Sequence, residues 1–354
     1  MNIAGPALPP SARLALAVVG DSDSHSYQDR NHFPPGSLER GGEYRATTLC
    51  WGEVLARLRG DWIDPGDWGL HGTHWLAARM LNWLGHAARS PCKEDYRYNF
   101  AMSGNGCREL LGGHHQQVKR LRAVMDGEPR RWLGGVVVVR IGINDFGRDV
   151  DLDDLAGNGA ASRVHATIAR CVRQVRAAVA VIHRRHPHAR IVLVGVSDNS
   201  NWPRHFSRWC APGMLANIHA GLDAYDGALR AMANADHRIA FFDDRAWFAA
   251  RWGGRDPNGR PAYRALQLAD DLAIANSLGD APTSASVRDG HAGTAWNAEW
   301  ARSLLDLANA RFGLGIPAIT RAEVAALVRA GLRQPAPIAA APEAAPPVAL
   351  GAHA

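Results

Sequence analysis

The chain contains little lysine, no long apolar run and no block of like charge. Only Lys93 and Lys119 are lysines, so the formal net charge of +6 comes from scattered arginines. Without a Lys/Arg block, the basic pI near 9.4 does not indicate a nucleic-acid partner. No apolar run approaches the roughly 20 residues that a membrane span needs. We therefore expect neither a nucleic-acid binder nor a transmembrane protein.

The five cysteines lack any regular spacing. No CxxC pair occurs among them, so the sequence indicates neither a zinc site nor a disulfide framework. The apolar run "LALAVV" is too short for a signal peptide, and no small-residue cleavage site follows it. A cytoplasmic protein is the default expectation, and export stays open.

Five runs rich in Val, Ile, Leu and aromatic residues predict strands. They are continuous rather than alternating, as is typical of parallel strands covered on both faces. Three further stretches carry apolar residues at helical steps, so strands and helices alternate along the chain as in an α/β fold. The predicted strands are 13–20, 97–104, 134–145, 189–199 and 237–244, and the predicted helices are 163–185, 294–313 and 320–332.

Long stretches without regular periodicity separate some of these elements. Residues 23–95, 197–236 and 244–288 are rich in Trp, Gly and Pro and are expected to be elaborated loops. Residues 1–332 are expected to form a single domain that carries these three insertions. The Pro/Ala-rich residues 333–354 are expected to be a disordered tail.

Small and polar residues lie at the ends of three predicted strands and before the helix 294–313. They include Ser22 just after the first strand, Gly104 and Asn144 at the ends of the second and third, and Asp289 and His291 before that helix. Ligands of open parallel sheets bind outside the carboxyl ends of the strands, so these groups should converge on one crevice. Gly20 is expected to allow a tight turn that exposes Ser22.

Acyl transfer needs this set of residue types. A serine becomes a nucleophile when a histidine takes its proton, and a carboxylate holds the imidazole in the right tautomer. Ser22, His291 and Asp289 supply these three groups. The backbone N–H of Gly104 and the amide of Asn144 can stabilise the oxyanion that develops.

Four sequence blocks resemble the SGNH (GDSL) hydrolase superfamily. They occur in the order typical of that family and span residues 16 to 297. Ser22 in "VVGDSDS" matches the family's serine, Gly104 in "NFAMSGNG" its oxyanion glycine and Asn144 in "IGIND" its oxyanion asparagine. The last block, "RDGHAGTAWN", carries Asp289 and His291 one residue closer together than the family's usual Asp-x-x-His.

The resemblance implies a flavodoxin-like three-layer α/β/α sandwich with a five-stranded parallel sheet. It also implies a serine esterase or lipase that needs no metal or cofactor and acts on small-molecule, acylated-sugar or lipid esters. The N–H groups of Ser22 and Gly104 and the amide of Asn144 would form the oxyanion hole. An acyltransferase that uses the same triad and a binding module with impaired chemistry are alternatives, and the oligomeric state stays open.

The tryptophans in the long loops are candidates for substrate contact. Loops at the carboxyl edge of such a sheet form the walls of the substrate crevice. Most of these residues should pack the loops onto the sheet. We nevertheless expect one of Trp202, Trp209 and Trp51 to contact a sugar ring or an acyl chain.

Overall fold

A five-stranded, all-parallel sheet forms the centre of the molecule. The computed structural model describes residues 13–84, 86 and 88–333. The strands of the described part are β1 (Leu14–Gly20), β2 (Ile63–Asp64), β3 (Trp68–His71), β4 (Lys93–Tyr96), β5 (Val136–Arg140), β6 (Arg190–Val194), β7 (Ile239–Phe242), β8 (Leu266–Ala269), β9 (Leu272–Leu278) and β10 (Ser284–Ser286). The central sheet has the order β2-β1-β5-β6-β7, which is the flavodoxin order 2-1-3-4-5 when its strands are counted along the chain.

Helices cover both faces of this sheet. They are α1 (Trp51–Arg59), α2 (Trp75–Trp83), α3 (Gln117–Gly127), α4 (Ile143–Phe146), α5 (Asp149–Gly157), α6 (Ser162–Arg185), α7 (Pro212–Ala235), α8 (Asp244–Trp252), α9 (Thr294–Phe312) and α10 (Arg321–Leu332). Val137 and Val139 of β5 point to a core with α3, α5, α6 and α7. Val136 and Val138 point to a second core with α1, α8, α9 and α10. The α/β/α sandwich expected from the sequence is confirmed.

Most predicted elements agree with the structure. Four of the five predicted strands contain β1, β5, β6 and β7, and the three predicted helices are α6, α9 and α10. Thr320 caps α10, since its Oγ1 accepts from the Glu323 N–H at 3.1 Å. Gly293 is the N-cap of α9, and Thr294 is its first helical residue.

The predicted strand 97–104 is the main exception. The edge strand is the two-residue β2, and residues 97–104 form only an isolated bridge in which Asn99 pairs with Val18. The Asn99 side chain accepts from the Ala101 N–H at 3.0 Å and donates to the Ser24 carbonyl at 2.8 Å. The segment is thus held by side-chain bonds as well as by backbone bonds to β1, without forming a regular strand. The segment still runs beside the carboxyl end of β1, because the Phe100 N–H donates to the Val18 carbonyl at 2.8 Å.

The expectation of a loop over 197–236 was wrong for most of its length. Residues 212–235 form the 24-residue helix α7, which packs on the sheet. Glycine and alanine are frequent in this helix and weaken its apolar pattern. The single-domain assignment stays a prediction, and residues 334–354 of the predicted tail lie outside the described part. No helix among the described residues is long and apolar enough to cross a bilayer.

A disulfide joins Cys107 to Cys171, with the two Cα atoms 5.2 Å apart. The sequence did not indicate this pair, because its members lie 64 residues apart without a recognisable pattern. Cys171 belongs to α6, whereas Cys107 follows the loop that contains Gly104. The disulfide therefore attaches this loop to a helix of the sandwich.

Gly20 is required because the end of β1 leaves no room for a Cβ atom beside β5. A Cβ atom at this position would lie 2.3 Å from the carbonyl oxygen of Arg140. We therefore expect Gly20→Ala to lower the free energy of unfolding by about 1–3 kcal/mol, measured by chemical denaturation. Gly127→Ala in α3 is the matched control, since no atom lies within 4 Å of its added Cβ. Equal stability of the two variants would contradict this reasoning.

Candidate active site

The carboxyl ends of β1 and β5 open into a cavity of about 500 Å³. Connections leave these neighbouring strands in opposite directions along the sheet, which creates a crevice at a topological switch point. The residues that line the cavity are Ser22, Asp23, Ile143, Asn144, Arg148, Asp149, Val150, Asn199, Trp202, Arg204, Asp289 and His291. Four of the five residues expected at the site, Ser22, Asn144, Asp289 and His291, thus meet at one cavity.

A tight turn after β1 holds Ser22. The N–H groups of Ser24 and His25 donate to the Asp21 carbonyl at 3.2 and 3.1 Å. The buried Gln117 side chain pairs with Gly20, accepting from its N–H at 2.7 Å and donating to its carbonyl at 2.8 Å. These bonds fix both ends of the turn. Gly20 was expected to allow the turn itself, but its φ is not positive, so the turn does not require a glycine there. Glycine is needed at this position because a Cβ atom would collide with β5.

Asp289 and His291 form a hydrogen-bonded pair. The Oδ1 atom of Asp289 lies 2.9 Å from Nδ1 of His291 and 3.1 Å from its backbone N. Gly290 between them has a φ of 89°, a left-handed conformation that glycine adopts without strain. This turn brings the two side chains together despite their short separation in the sequence.

Asp289 is a fully bonded carboxylate. Its Oδ2 accepts from the backbone N–H of Arg40 at 2.9 Å and from the Arg40 guanidinium at 2.5 Å. Burial by itself would raise the pKa of Asp289, but the bond from His291 and the charge of Arg40 lower it well below its usual range. Asp289 is therefore ionised at neutral pH and able to orient an imidazole.

Ser22 and His291 line the same cavity without a direct hydrogen bond, both being described residues. Because Asp289 holds Nδ1 of His291, the Nε2 atom is the ring nitrogen that remains for the serine. Contacts between a nucleophile and its base commonly tighten only when substrate binds. The structure thus brings the two side chains to one cavity. We expect the hydrogen bond between the Ser22 hydroxyl and Nε2 of His291 to form when substrate binds.

Two of the expected oxyanion residues lie on linked segments, Asn144 in α4 and Gly104 in the loop before Cys107. The Asn144 side-chain amide donates to the carbonyl of Asn105 at 2.9 Å. The next residue, Asp145, accepts from the Cys107 N–H at 2.8 Å through Oδ2. Gly104 has a φ of 79° and is exposed, but it is not among the described residues that line the cavity. The loop of Gly104 is therefore attached to the end of β5, and Gly104 itself lies outside the cavity wall.

A family model for the GDSL-like Lipase/Acylhydrolase family matches residues 65–264, more than half of the chain. The chain belongs to this family. Membership makes it a hydrolase of the esterase/lipase type. The matched region includes Gly104 and Asn144 but leaves Ser22, Asp289 and His291 outside.

Solved structures that resemble this chain include proteins described as lipases. An extracellular lipase from Streptomyces rimosus is 18% identical, with a TM-score of 0.37, over 70% of this chain and 86% of that chain. A possible lipase from Chitinophaga pinensis is 16% identical, with a TM-score of 0.34, over 86% of this chain and 100% of that chain. These likenesses are too distant to support an argument about chemistry. Comparison with curated proteins gives no match.

Of the three candidate tryptophans, Trp202 alone is among the described residues that line this cavity. Trp202 lies there and packs on the turn that joins Asp289 to His291. Trp51 is fully buried against Trp300, with ring centroids 5.1 Å apart. Trp209 is 5% exposed, and its Nε1 donates to Asp153 at 3.0 Å. Trp51 and Trp209 therefore serve packing. The expectation that one of the three tryptophans contacts substrate stays a prediction, for which Trp202 is the candidate at the cavity.

Sequence reasoning missed Arg40 and Gln117, both of which hold the site together. Arg40 lies in the first long loop, 249 residues from its partner Asp289. Gln117 is the first residue of α3 and is 97 residues from Gly20. Neither residue belongs to a motif or to an apolar pattern. Their roles depend on contacts between distant segments, which a single sequence does not indicate.

Gly290 should matter for catalysis as well as for stability. An added Cβ would force an L-residue into the left-handed region and would lie 3.2 Å from the Trp202 ring. We expect Gly290→Ala to lower the free energy of unfolding by about 1–2 kcal/mol. Displacement of His291 by about 1 Å should also lower kcat by about 10²-fold. Both effects can be measured with denaturant and with p-nitrophenyl acetate.

Gly313→Ala is the matched control for this variant. Gly313 also has a positive φ, 63°, but no atom lies within 4 Å of its added Cβ. It ends α9, outside the residues that line the cavity. A similar loss of stability with unchanged kcat is expected. An equal loss of kcat in both variants would show that the effect of Gly290 is not local.

Proposed function

We propose that the protein hydrolyses carboxylic esters through an acyl-enzyme formed on Ser22. The observation that carries this proposal is the cavity shared by Ser22, Asn144, Asp289 and His291 at the switch point of the sheet. The 2.9 Å contact between Asp289 and His291 also supports it. The alternative of an impaired binding module rested on the short spacing of that pair, which the turn at Gly290 accommodates.

In this mechanism the Ser22 Oγ attacks the ester carbonyl while Nε2 of His291 takes its proton. Asp289 holds the Nδ1–H of His291 and stabilises the imidazolium that forms. The tetrahedral intermediate expels the alcohol, which receives the proton from His291. A water molecule activated by the same imidazole then attacks the acyl-enzyme and releases the carboxylic acid.

The oxyanion would be stabilised by the N–H groups of Ser22 and Gly104 and by the Asn144 amide. One N–H of the Asn144 amide is bonded to the Asn105 carbonyl, which fixes the orientation of the group. The amide nitrogen carries a second N–H that remains for the oxyanion. A donor oriented in this way needs little reorganisation when negative charge develops. Gly104 would have to approach the cavity with its loop.

The cavity favours a polar ester, and we propose an acylated carbohydrate as the substrate class. Apart from the triad, its wall contains the carboxylates of Asp23 and Asp149, the amide of Asn199 and two arginines. These groups can bond to sugar hydroxyls, and the Trp202 ring offers a flat apolar surface. A long acyl chain would instead need a continuous apolar wall.

Replacement of Ser22 tests the proposed nucleophile. We expect Ser22→Ala to lower kcat for a short p-nitrophenyl ester by about 10⁶-fold, as loss of a triad nucleophile does. Its denaturation curve should match that of the wild type, because the hydroxyl makes no hydrogen bond among the described residues. A fluorophosphonate probe followed by peptide mapping should label Ser22. Labelling of Ser24 or Ser103 would refute the assignment.

Replacement of Trp202 tests the proposed substrate class. We expect Trp202→Leu to raise KM for acetylated xylan by up to about tenfold, since aromatic stacking contributes about 0.5–1.5 kcal/mol. KM for p-nitrophenyl acetate should change little. Trp62→Leu is the control, because Trp62 is 49% exposed and lies outside the cavity. Better turnover of p-nitrophenyl palmitate or a phospholipid than of acetylated xylan would contradict the carbohydrate proposal.

A further inference from the structure

Arg40 lies buried between the triad and a second set of polar residues. Its side chain is 3% exposed, and its guanidinium lies 4.5 Å from the centre of the Phe33 ring. On one side Nη1 contacts Oδ2 of Asp289 at 2.5 Å. On the other side Nη2 donates to Oγ of Ser103 at 3.2 Å. Arg40 thus joins the triad carboxylate to the residue that precedes Gly104.

Ser103 is the first member of a chain of hydrogen bonds that leads away from Arg40. Its Oγ lies 2.9 Å from Nδ1 of His25, whose Nε2 lies 2.8 Å from Oδ2 of Asp29. The side chains of His25 and Asp29 are fully buried. Asp29 is held by three backbone N–H groups on Oδ1 and by His32 on Oδ2. We call Asp29, His25 and Ser103 the relay.

The donors and acceptors of the relay have one consistent assignment. Bonds from His25 and His32 lower the pKa of Asp29 against the effect of its burial, so Asp29 is an anion that only accepts. Burial lowers the pKa of His25 to about 4, so the ring is neutral. Its single proton is then on Nε2 and bonds Asp29. Nδ1 accepts from the Ser103 hydroxyl, whose oxygen is left to accept from Arg40.

The relay has the residue types of a catalytic triad, but its geometry does not suit a nucleophile. The Ser103 oxygen faces the Arg40 guanidinium rather than the cavity. A neutral imidazole with a pKa near 4 is also a weak base for a serine hydroxyl. The relay is instead suited to hold a cation in one orientation.

Orientation matters because Nη1 of Arg40 also lies 2.7 Å from Nδ1 of His291. If Arg40 donated to that nitrogen, the proton of His291 would be on Nε2 and the ring could not accept from Ser22. If Arg40 donates to Asp289 alone, Nδ1–H of His291 can bond Asp289 as the mechanism requires. The direction of the guanidinium therefore decides between a productive and an unproductive tautomer.

We propose that Arg40 is a positioning residue for the triad and that the relay of Asp29, His25 and Ser103 fixes its guanidinium toward Asp289. This inference rests on the proposed ester hydrolysis by Ser22. Arg40 does not contact the reacting atoms. It acts through the carboxylate of Asp289 and the tautomer of His291.

Arg40→Gly with chemical rescue tests the proposal. Arg40 has a φ of 58°, so glycine fits its backbone without strain and leaves a space of guanidinium shape. We expect kcat for p-nitrophenyl acetate to fall about 10²-fold with KM nearly unchanged. Added ethylguanidinium should restore kcat in Arg40→Gly and should not restore it in Ser22→Ala. A purely structural residue would not show this pattern.

A double-mutant cycle tests the relay. Ser103→Ala should lower kcat about tenfold, as loss of an outer partner of an active-site group does. If the relay acts through Arg40, Ser103→Ala should have no further effect in the Arg40→Gly background. Ser277→Ala is the matched control, since Ser277 is also half-buried and its hydroxyl bonds, within the described part of the chain, only the Ala275 carbonyl. Wild-type kcat is expected for it.

Three results would overturn the proposal. The first is a wild-type kcat in a folded Arg40→Gly variant. The second is a double variant whose loss of kcat equals the product of the losses in Arg40→Gly and Ser103→Ala. The third is labelling of Ser103 by the fluorophosphonate probe. The rate of Ser22 labelling is measured in parallel, because it does not require ester turnover. Labelling of Ser22 without hydrolysis of any ester would refute the proposed function, and the labelling rates would still test Arg40. A wild type that neither labels nor hydrolyses would refute both.

Discussion

The close contact between β1 and β5 at Gly20 is the constraint on which the site depends. It brings the carbonyl of Arg140 to the end of β1, and the Arg140 side chain then continues toward the loops. The guanidinium donates to the Asp23 carbonyl at 3.2 Å and to Asp244 at 3.3 Å, and it lies 4.6 Å from the centre of the Trp300 ring. One buried cation thus connects the turn of Ser22 to α8 and α9. Removal of Arg140 or of Asp244 would leave the other residue of this buried ion pair without its partner charge.

A second buried cation, Arg40, serves the opposite side of the site. It bonds Asp289 and Ser103, which belong to the histidine loop and the Gly104 loop. Arg140 bonds the turn after β1, and Arg40 bonds both the Gly104 loop and the histidine loop that precedes α9. Each donates to a carboxylate in the protein interior, where charge-assisted hydrogen bonds are strong and directional. Loops that are distant in the sequence are therefore joined to one another at the site through buried charges.

The fold could be predicted from the sequence where local pattern and final burial agree. The Val-rich run of β5 is buried on both faces, and the apolar stripe of α6 faces one core, so both were found. β2 was not found, because two residues carry no periodicity. α7 was missed because its Gly and Ala positions dilute the apolar stripe, although Leu222 and Leu229 are buried. β2 and α7 are thus formed through packing against the rest of the protein, which the local sequence pattern does not reveal.

The site could be predicted only as far as motifs reach. Ser22, Asn144, Asp289 and His291 could be expected at one cavity because each lies at or near a strand or helix end, and the topology of the sheet brings those ends together. For the contact between Asp289 and His291, the number of residues between them was less informative than the backbone conformation that the intervening glycine allows. The pair of Asp289 and His291 is one residue too close by the family's pattern, yet a glycine with a φ of 89° turns the two side chains to the same side. The glycine at position 290 therefore explains why Asp289 and His291 can meet although their spacing is shorter than the family's usual one.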